Sequence, residues 1–175
     1  TAFDLSPELA QTEIPQSEEE KARFVEKEVP VDLVHAARKR VENAGLFPSE
    51  DEFNGLLAYV WPALQKMKVR DDKYKACRKK YFTTSLGCDF LRELSIDELP
   101  GLTTPETTAV MLALSFEMGM PIHFVAPAFG FQKNIPYPDN HQLREMIKPI
   151  WAVCESFGVS IGFHSGSVSY THLTL

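Results

Sequence analysis

Apolar residues recur along this chain in two rhythms. In the first half the spacing is helical. Phe53, Leu56, Leu57, Val60, Leu64 and Met67 repeat at three- and four-residue intervals, the mark of one buried helix face, and Pro62 inside the run predicts a kink. Val31, Val34, Ala37 and Val41 form an earlier stripe, with Pro30 at the first helical position and Gly45 just past the end. Ahead of it Ser17-Glu18-Glu19-Glu20 has capping-box spacing, Ser17 as N-cap and Glu20 at N3, opening a short polar helix to about Glu28. These helices read as scaffold.

From Gly87 onward the rhythm changes to alternating strands and helices. Phe90 to Asp97 reads as a strand. Thr104 caps the next helix, with Pro105 at N1, Glu106 in the first turn and Gly119 at C′. Pro121 to Pro127 is a second apolar strand, followed by a long loop from Ala128 to Pro138 rich in Pro, Gly and aromatics. Asp139 caps a helix with Leu143, Ile147, Ile150, Trp151 and Cys154 as its apolar face, Pro149 as a bend and Gly158 at its end. Val159 to His164 is the third strand of the series, and Thr1 to Leu5 reads as the tail of an earlier one. Short turns in a β-α-β-α-β order predict a parallel sheet in an α/β fold, with a helical insertion in the first half of the chain.

Side chains alternate between the two faces of a strand. In the last strand Val159, Ile161 and Phe163 share one face, and Ser160, Gly162 and His164 share the other. Leu94 and Ile96 oppose Ser95 and Asp97 in the same way, and Phe3 and Leu5 oppose Ala2 and Asp4. Three strands therefore end in a polar group on the non-helical face: Asp4, Asp97 and His164. Strand-end positions of this kind are where catalytic residues sit in a (β/α)₈ barrel. Two carboxylates and one imidazole suit a divalent transition metal such as Zn or Mn. Glu98, one residue beyond Asp97, is a candidate general base. A strand-end Asp also commonly caps a loop or a helix, and Asp4 admits that reading. His123 lies at the start of its strand and reads as structural, and His141, near a helix start, as solvated.

Composition narrows the classes. The net charge of −6 and the absence of a basic stripe argue against a nucleic-acid partner. Lys73, Lys75, Arg78, Lys79 and Lys80 adjoin Asp71 and Asp72 and read as a solvated helix face. No apolar run reaches the roughly 18 residues of a membrane span. Cys77, Cys88 and Cys154 form neither a zinc pair nor a disulfide framework, as expected of a cytoplasmic protein. Cys154 falls on an apolar helix face and reads as core rather than nucleophile. Ser165-Gly166-Ser167 has the composition of a backbone cradle for phosphate or carboxylate. No Gly-Lys-Ser/Thr follows it, and Phe163 stands where a nucleophile elbow has glycine.

Several motifs together resemble the tagaturonate epimerase family of hexuronate metabolism. They are Ser95-Ile96-Asp97-Glu98, the Thr103-Thr104-Pro105 turn, Phe129-Gly130-Phe131-Gln132-Lys133-Asn134, Tyr137-Pro138-Asp139-Asn140, and Val159 through His164-Ser165-Gly166-Ser167. The resemblance is strongest from Leu94 onward. It implies a metal-dependent sugar-acid epimerase on a TIM-barrel-like fold, interconverting the ketouronates D-tagaturonate and D-fructuronate. It further implies His164 as a metal ligand, with Asp97 and Glu98 as a ligand or as the acid–base pair. Lys133 and Ser165 are assigned to the substrate carboxylate or hydroxyls. Inversion can run by retro-aldol cleavage, rotation and re-addition, or by proton abstraction and return, and the residues leave both open. Another metal-dependent sugar isomerase or aldolase of the same architecture, and a non-catalytic sugar-acid binder, are the competing readings.

The two ends carry an expectation of their own. The chain opens on Thr1 rather than Met. Val168 to Leu175 resembles the translated frame of a transposon-type sequencing adaptor, to be kept out of fold reasoning. The reading is a partial domain over residues 1–167, truncated at both ends and inactive by itself, followed by an adaptor-derived tail over 168–175.

Overall fold

Local signals set most element boundaries. The computed structural model describes residues 1–131 and 135–164. Their order is β1 (Ala2–Asp4), α1 (Ser6–Ala10), α2 (Glu18–Glu28), α3 (Val31–Asn43), α4 (Glu50–Tyr81), α5 (Ser85–Cys88), β2 (Glu93–Ser95), α6 (Pro105–Glu117), β3 (Phe124–Ala126), α7 (Asn140–Ser156) and β4 (Ser160–Ile161). The Ser17 capping box forms as expected, and a second one, Ser49 with Glu52, opens α4. Thr104 and Asp139 accept the first free N–H groups of α6 and α7. Gly45 and Gly119 follow α3 and α6 at φ of 82° and 73°, a left-handed backbone that side chains resist.

The sheet is parallel throughout and its strands lie side by side in chain order, β1-β2-β3-β4. Phe3 pairs with Leu94 and Leu94 with Val125, and Val125 pairs with Ile161. This row meets the helices: Phe3, Leu94 and Val125 are fully or almost fully buried and belong to the core. The expected α/β class is thus present, and the helical insertion is α1 to α5, between β1 and β2. Helix α6 packs against α3, α4 and α7, and every residue from Ala109 to Leu114 is completely buried. It is a central helix rather than an amphipathic surface one. Phe53, Leu57, Val60, Leu64 and Met67 face this core as the period predicts. Burial of each such side chain contributes about 1.5–3 kcal/mol.

Some expectations shift. The strands are shorter than the apolar runs: Glu93–Ser95 within Phe90 to Asp97, Phe124–Ala126 within Pro121 to Pro127, and Ser160–Ile161 within Val159 to His164. One cause is visible at the start of β2. The Arg92 N–H donates to the His123 ring Nδ1 at 3.1 Å, so a side chain takes the place of a ladder carbonyl there. Pro30 is the N-cap of α3 rather than its first helical residue. Val31, at the exposed first turn, and Trp151 both face solvent. The buried side of α7 turns from Ile150 toward Val153 rather than toward Trp151. The buried stripe of α7 therefore runs through Leu143, Ile150, Val153 and Cys154.

One buried ion pair fastens α4 to the segment entering β2. Asp71 is fully buried, and Arg92 Nε donates to its Oδ1 at 2.7 Å, while Lys75 Nζ sits 2.7 Å from Oδ2. The Arg92 guanidinium also lies over the Phe90 ring, 4.2 Å from its centroid. Removing one member of a buried pair strands the other charge without a partner. Asp71→Ala is expected to lower the unfolding free energy by about 3–5 kcal/mol in a urea melt. A paired Asp71→Leu, Arg92→Met replacement is expected to recover most of that loss.

Candidate functional site

The register that buries Phe3, Leu94 and Val125 turns the alternate positions to the opposite, open face. Asp4, Ser95 and Ala126 pair in one row across β1, β2 and β3. Gly162 extends this row through its N–H, which donates to the Val125 carbonyl at 2.7 Å. The row toward the strand starts holds Ala2, Glu93, Phe124 and Ser160. His164 follows β4, two residues beyond Gly162, and so falls on the same open face.

There His164 reaches over β3 to β2, a span of two inter-strand steps or about 9–10 Å. The small side chain of Ala126 leaves the path clear. The imidazole lies between two carboxylates: Nε2 is 3.0 Å from Glu93 Oε1, and Nδ1 is 3.3 Å from Asp97 Oδ1. The Ser95 hydroxyl donates to Asp97 Oδ1 at 2.8 Å and lies 3.5 Å from His164 Nδ1. Both ring nitrogens thus lie opposite a carboxylate oxygen. The cluster is half-open: the His164 side chain is 38% exposed, Glu93 26% and Asp97 13%. Water can reach it.

The candidate residues divide clearly. Asp97 and His164 are brought together. Asp4 shares their face but stands on the far side of β2, and its Oδ1 accepts the Ser6 N–H at 2.9 Å. It closes an Asx turn leading into α1, a structural role that a strand-end Asp often plays. Glu98 lies in the exposed turn after β2, and its N–H donates to Ser6 Oγ at 3.3 Å. One residue beyond Asp97, it leaves the alternation that aligns Asp97 with Ser95. Lys133 and Ser165 lie outside the described residues, as do Gly166 and Ser167. Glu93 is the residue sequence reasoning missed. Its signal was present, since Glu93, Ser95 and Asp97 follow at i, i+2 and i+4 in the strand already recognised.

One imidazole and two carboxylates are ordinary donors for Zn or Mn. Their arrangement here is a hydrogen-bonded one, with Glu93 and Asp97 on opposite ring nitrogens. Among the described residues no three His, Cys, Asp or Glu groups converge on a single metal position. Each ring nitrogen with its adjacent carboxylate offers two donors of a kind that Zn or Mn accepts, and the described residues bring no third to either pair.

The surroundings support the strand ends. The Thr103 N–H donates to the Ala128 carbonyl at 2.9 Å, and the Ala128 N–H donates to Thr103 Oγ1 at 2.8 Å. These two bonds tie the loop after β2 to the end of β3. Phe129 stacks on Phe163 with centroids 5.7 Å apart, and Phe131 meets Phe129, Phe163 and Tyr137 edge-on. His123 serves the backbone, as expected, and His141 is exposed. A cleft of about 670 Å³ lies beside Phe24 of α2, and one of about 640 Å³ lies around Tyr59 between the inserted helices and the start of α6; neither includes His164. Among the described residues no helix is long and apolar enough to cross a membrane.

No protein-family model matches the chain, and no curated protein sequence is significantly similar to it. Solved structures are. Three crystal structures of the fructuronate-tagaturonate epimerase UxaE from Cohnella laeviribosi superpose on the chain. The native form has a TM-score of 0.65, and the forms with one and two bound glycerols have 0.64 and 0.62. Identity is 22% in each case, over 97% of this chain and 35% of the other. At that identity the likeness establishes a shared fold. This chain spans about a third of the length of the proteins it matches. Those proteins are epimerases of the kind its motifs resemble.

Cys154 is set apart from the site chemistry by its surroundings. It is 2% exposed, and burial pushes its thiol up to about 11. A raised thiol pKa withholds the thiolate, leaving about one molecule in a thousand reactive at pH 8. In the native protein at pH 8, iodoacetamide is expected to alkylate the exposed Cys77. Cys154 should be labelled only after denaturation, as peptide mass mapping will show.

Proposed function

We propose that this chain is part of a metal-dependent sugar-acid epimerase, built on a TIM-barrel-like domain, that interconverts D-tagaturonate and D-fructuronate. One observation carries the reading. His164 and Asp97 meet beyond the carboxyl ends of two parallel strands, with Glu93 of the same sheet face on the other ring nitrogen, in a backbone shared with solved epimerases of these two sugar acids. The strand order supports the barrel, since parallel neighbours laid down in chain order with helices between them are its repeating unit.

The substrates differ at one hydroxyl-bearing carbon. To invert it by retro-aldol cleavage, a base must take the hydroxyl proton as the carbon–carbon bond breaks. The electron pair of that bond passes into an enediolate. The aldehyde then turns over, the bond reforms on its other face, and the proton returns. The Asp97 carboxylate, 3.3 Å from Nδ1 of His164, can accept that proton and give it back. The alternative takes the proton from carbon and returns it to the opposite face. A divalent metal, when bound, supplies Lewis acidity to the ketone and enediolate oxygens. His164 and Glu93 are the residues that would hold it. Lys133 and Ser165 remain the proposed partners of the substrate carboxylate and hydroxyls, and the reading places the protein in the cytoplasm.

The test uses the complete protein with both ketouronates and a panel of related sugars. Interconversion is expected to require metal, stopping on chelation and returning with Mn or Zn. His164→Ala should lower kcat by about 10²-fold or more, while the exposed His141→Ala should not. Unchanged turnover in His164→Ala, or turnover confined to other sugars, would overturn the proposal. In deuterated water, label at the inverted carbon identifies proton abstraction, and its absence identifies retro-aldol cleavage.

A further inference from the structure

The two strand-end aspartates of β1 and β2 begin alike and end differently. Asp4 spends its carboxylate on a backbone N–H, that of Ser6. Asp97 also sits in a turn, where an Asp side chain ordinarily takes the N–H two residues on. Instead its Oδ1 accepts the Ser95 hydroxyl at 2.8 Å and faces His164 Nδ1. Ser95 is 6% exposed, in the strand beside Ala126, so packing limits where its hydroxyl can turn.

We infer that Ser95 is a positioning residue, whose hydroxyl holds the Asp97 carboxylate against Nδ1 of His164 and leaves Nε2, beside Glu93, as the working nitrogen. A hydroxyl carries one proton, and at 2.8 Å that proton lies toward Asp97 Oδ1. The Ser95 oxygen then faces Nδ1 as an acceptor, at 3.5 Å. Nδ1–H is therefore shared between two oxygens that Ser95 itself keeps together. This selects the ring orientation and keeps the proton on Nδ1. Nε2 is left to exchange a proton or to take a ligand next to Glu93. A carboxylate that orients a histidine through its second nitrogen is a recurrent device in acid–base and metal sites. Here Ser95 orients the carboxylate in turn.

The kinetic part of the test rests on the epimerase reading, and the spectroscopic part does not. In ¹⁵N-labelled protein without substrate, His164 should show a slowly exchanging Nδ1–H resonance, assigned by its loss in His164→Gln. Ser95→Ala should abolish that resonance while leaving the thermal melt cooperative, and Ser95→Thr, which keeps the hydroxyl, should restore it. In the complete enzyme, Ser95→Ala should lower kcat about tenfold with KM nearly unchanged, and Ser95→Thr should recover it. A missing Nδ1–H resonance in the unsubstituted protein, or its persistence in Ser95→Ala, overturns the inference. If the unsubstituted enzyme fails to interconvert the ketouronates, the epimerase reading falls and the resonance still decides the role of Ser95.

Discussion

The strand ends are organised by the register of four short parallel strands. Phe3, Leu94, Val125 and Ile161 pair across the sheet, and the side-chain period of a strand is two. Burying that row beneath the helices forces Glu93, Ser95 and Asp97 onto the open face, together with Ala126 and His164. A slip of one residue in β2 would send Glu93, Ser95 and Asp97 into the core and Leu94 into solvent. The apolar cost of that slip, spread over residues that are now fully buried, is what holds the polar groups where they can act.

The helices enforce this register. The crossover from β1 to β2 holds five helices, yet the strands it joins lie side by side. The Asp71–Arg92 pair, beneath Lys75 and Phe90, anchors the entry to β2 against α4. His123 closes the same end by accepting the Arg92 N–H. At the opposite end Thr103 and Ala128 bind the two loops that leave β2 and β3. The strands are thus pinned at their amino ends by charge and imidazole, and at their carboxyl ends by one backbone bond and one bond to the Thr103 hydroxyl. The face between carries the chemistry. Ala126 completes the arrangement by what it lacks, since a longer side chain there would stand between His164 and β2.

Much of this was legible residue by residue. Ser17, Thr104 and Asp139 announce the helices they cap, and the spacing from Phe53 to Met67 announces the buried face of α4. The alternation along β2 and β4 places Asp97 and His164 on one side. The same alternation, followed two residues further back, reaches Glu93. Asp4 illustrates the opposite limit. Its position in the alternation matches that of Ser95, but the Ser6 N–H two residues on competes for its carboxylate and wins. Trp151 lies at the margin of the α7 stripe, and the packing partners lie on the Val153 side of it.

What the sequence alone determined was local: where helices start and stop, which face of each strand is apolar, and that a histidine and an aspartate end two strands on the same side. These follow from caps and periods acting over a few residues. What only the tertiary structure decided was company. His164 meets Ser95 across 69 residues of chain, and meets Glu93 and Asp97 beside it, because β3 runs between β2 and β4 and offers a methyl group where their side chains must cross. No spacing along the chain encodes that meeting. It is set by strand order and by the free energy of burying the opposite face.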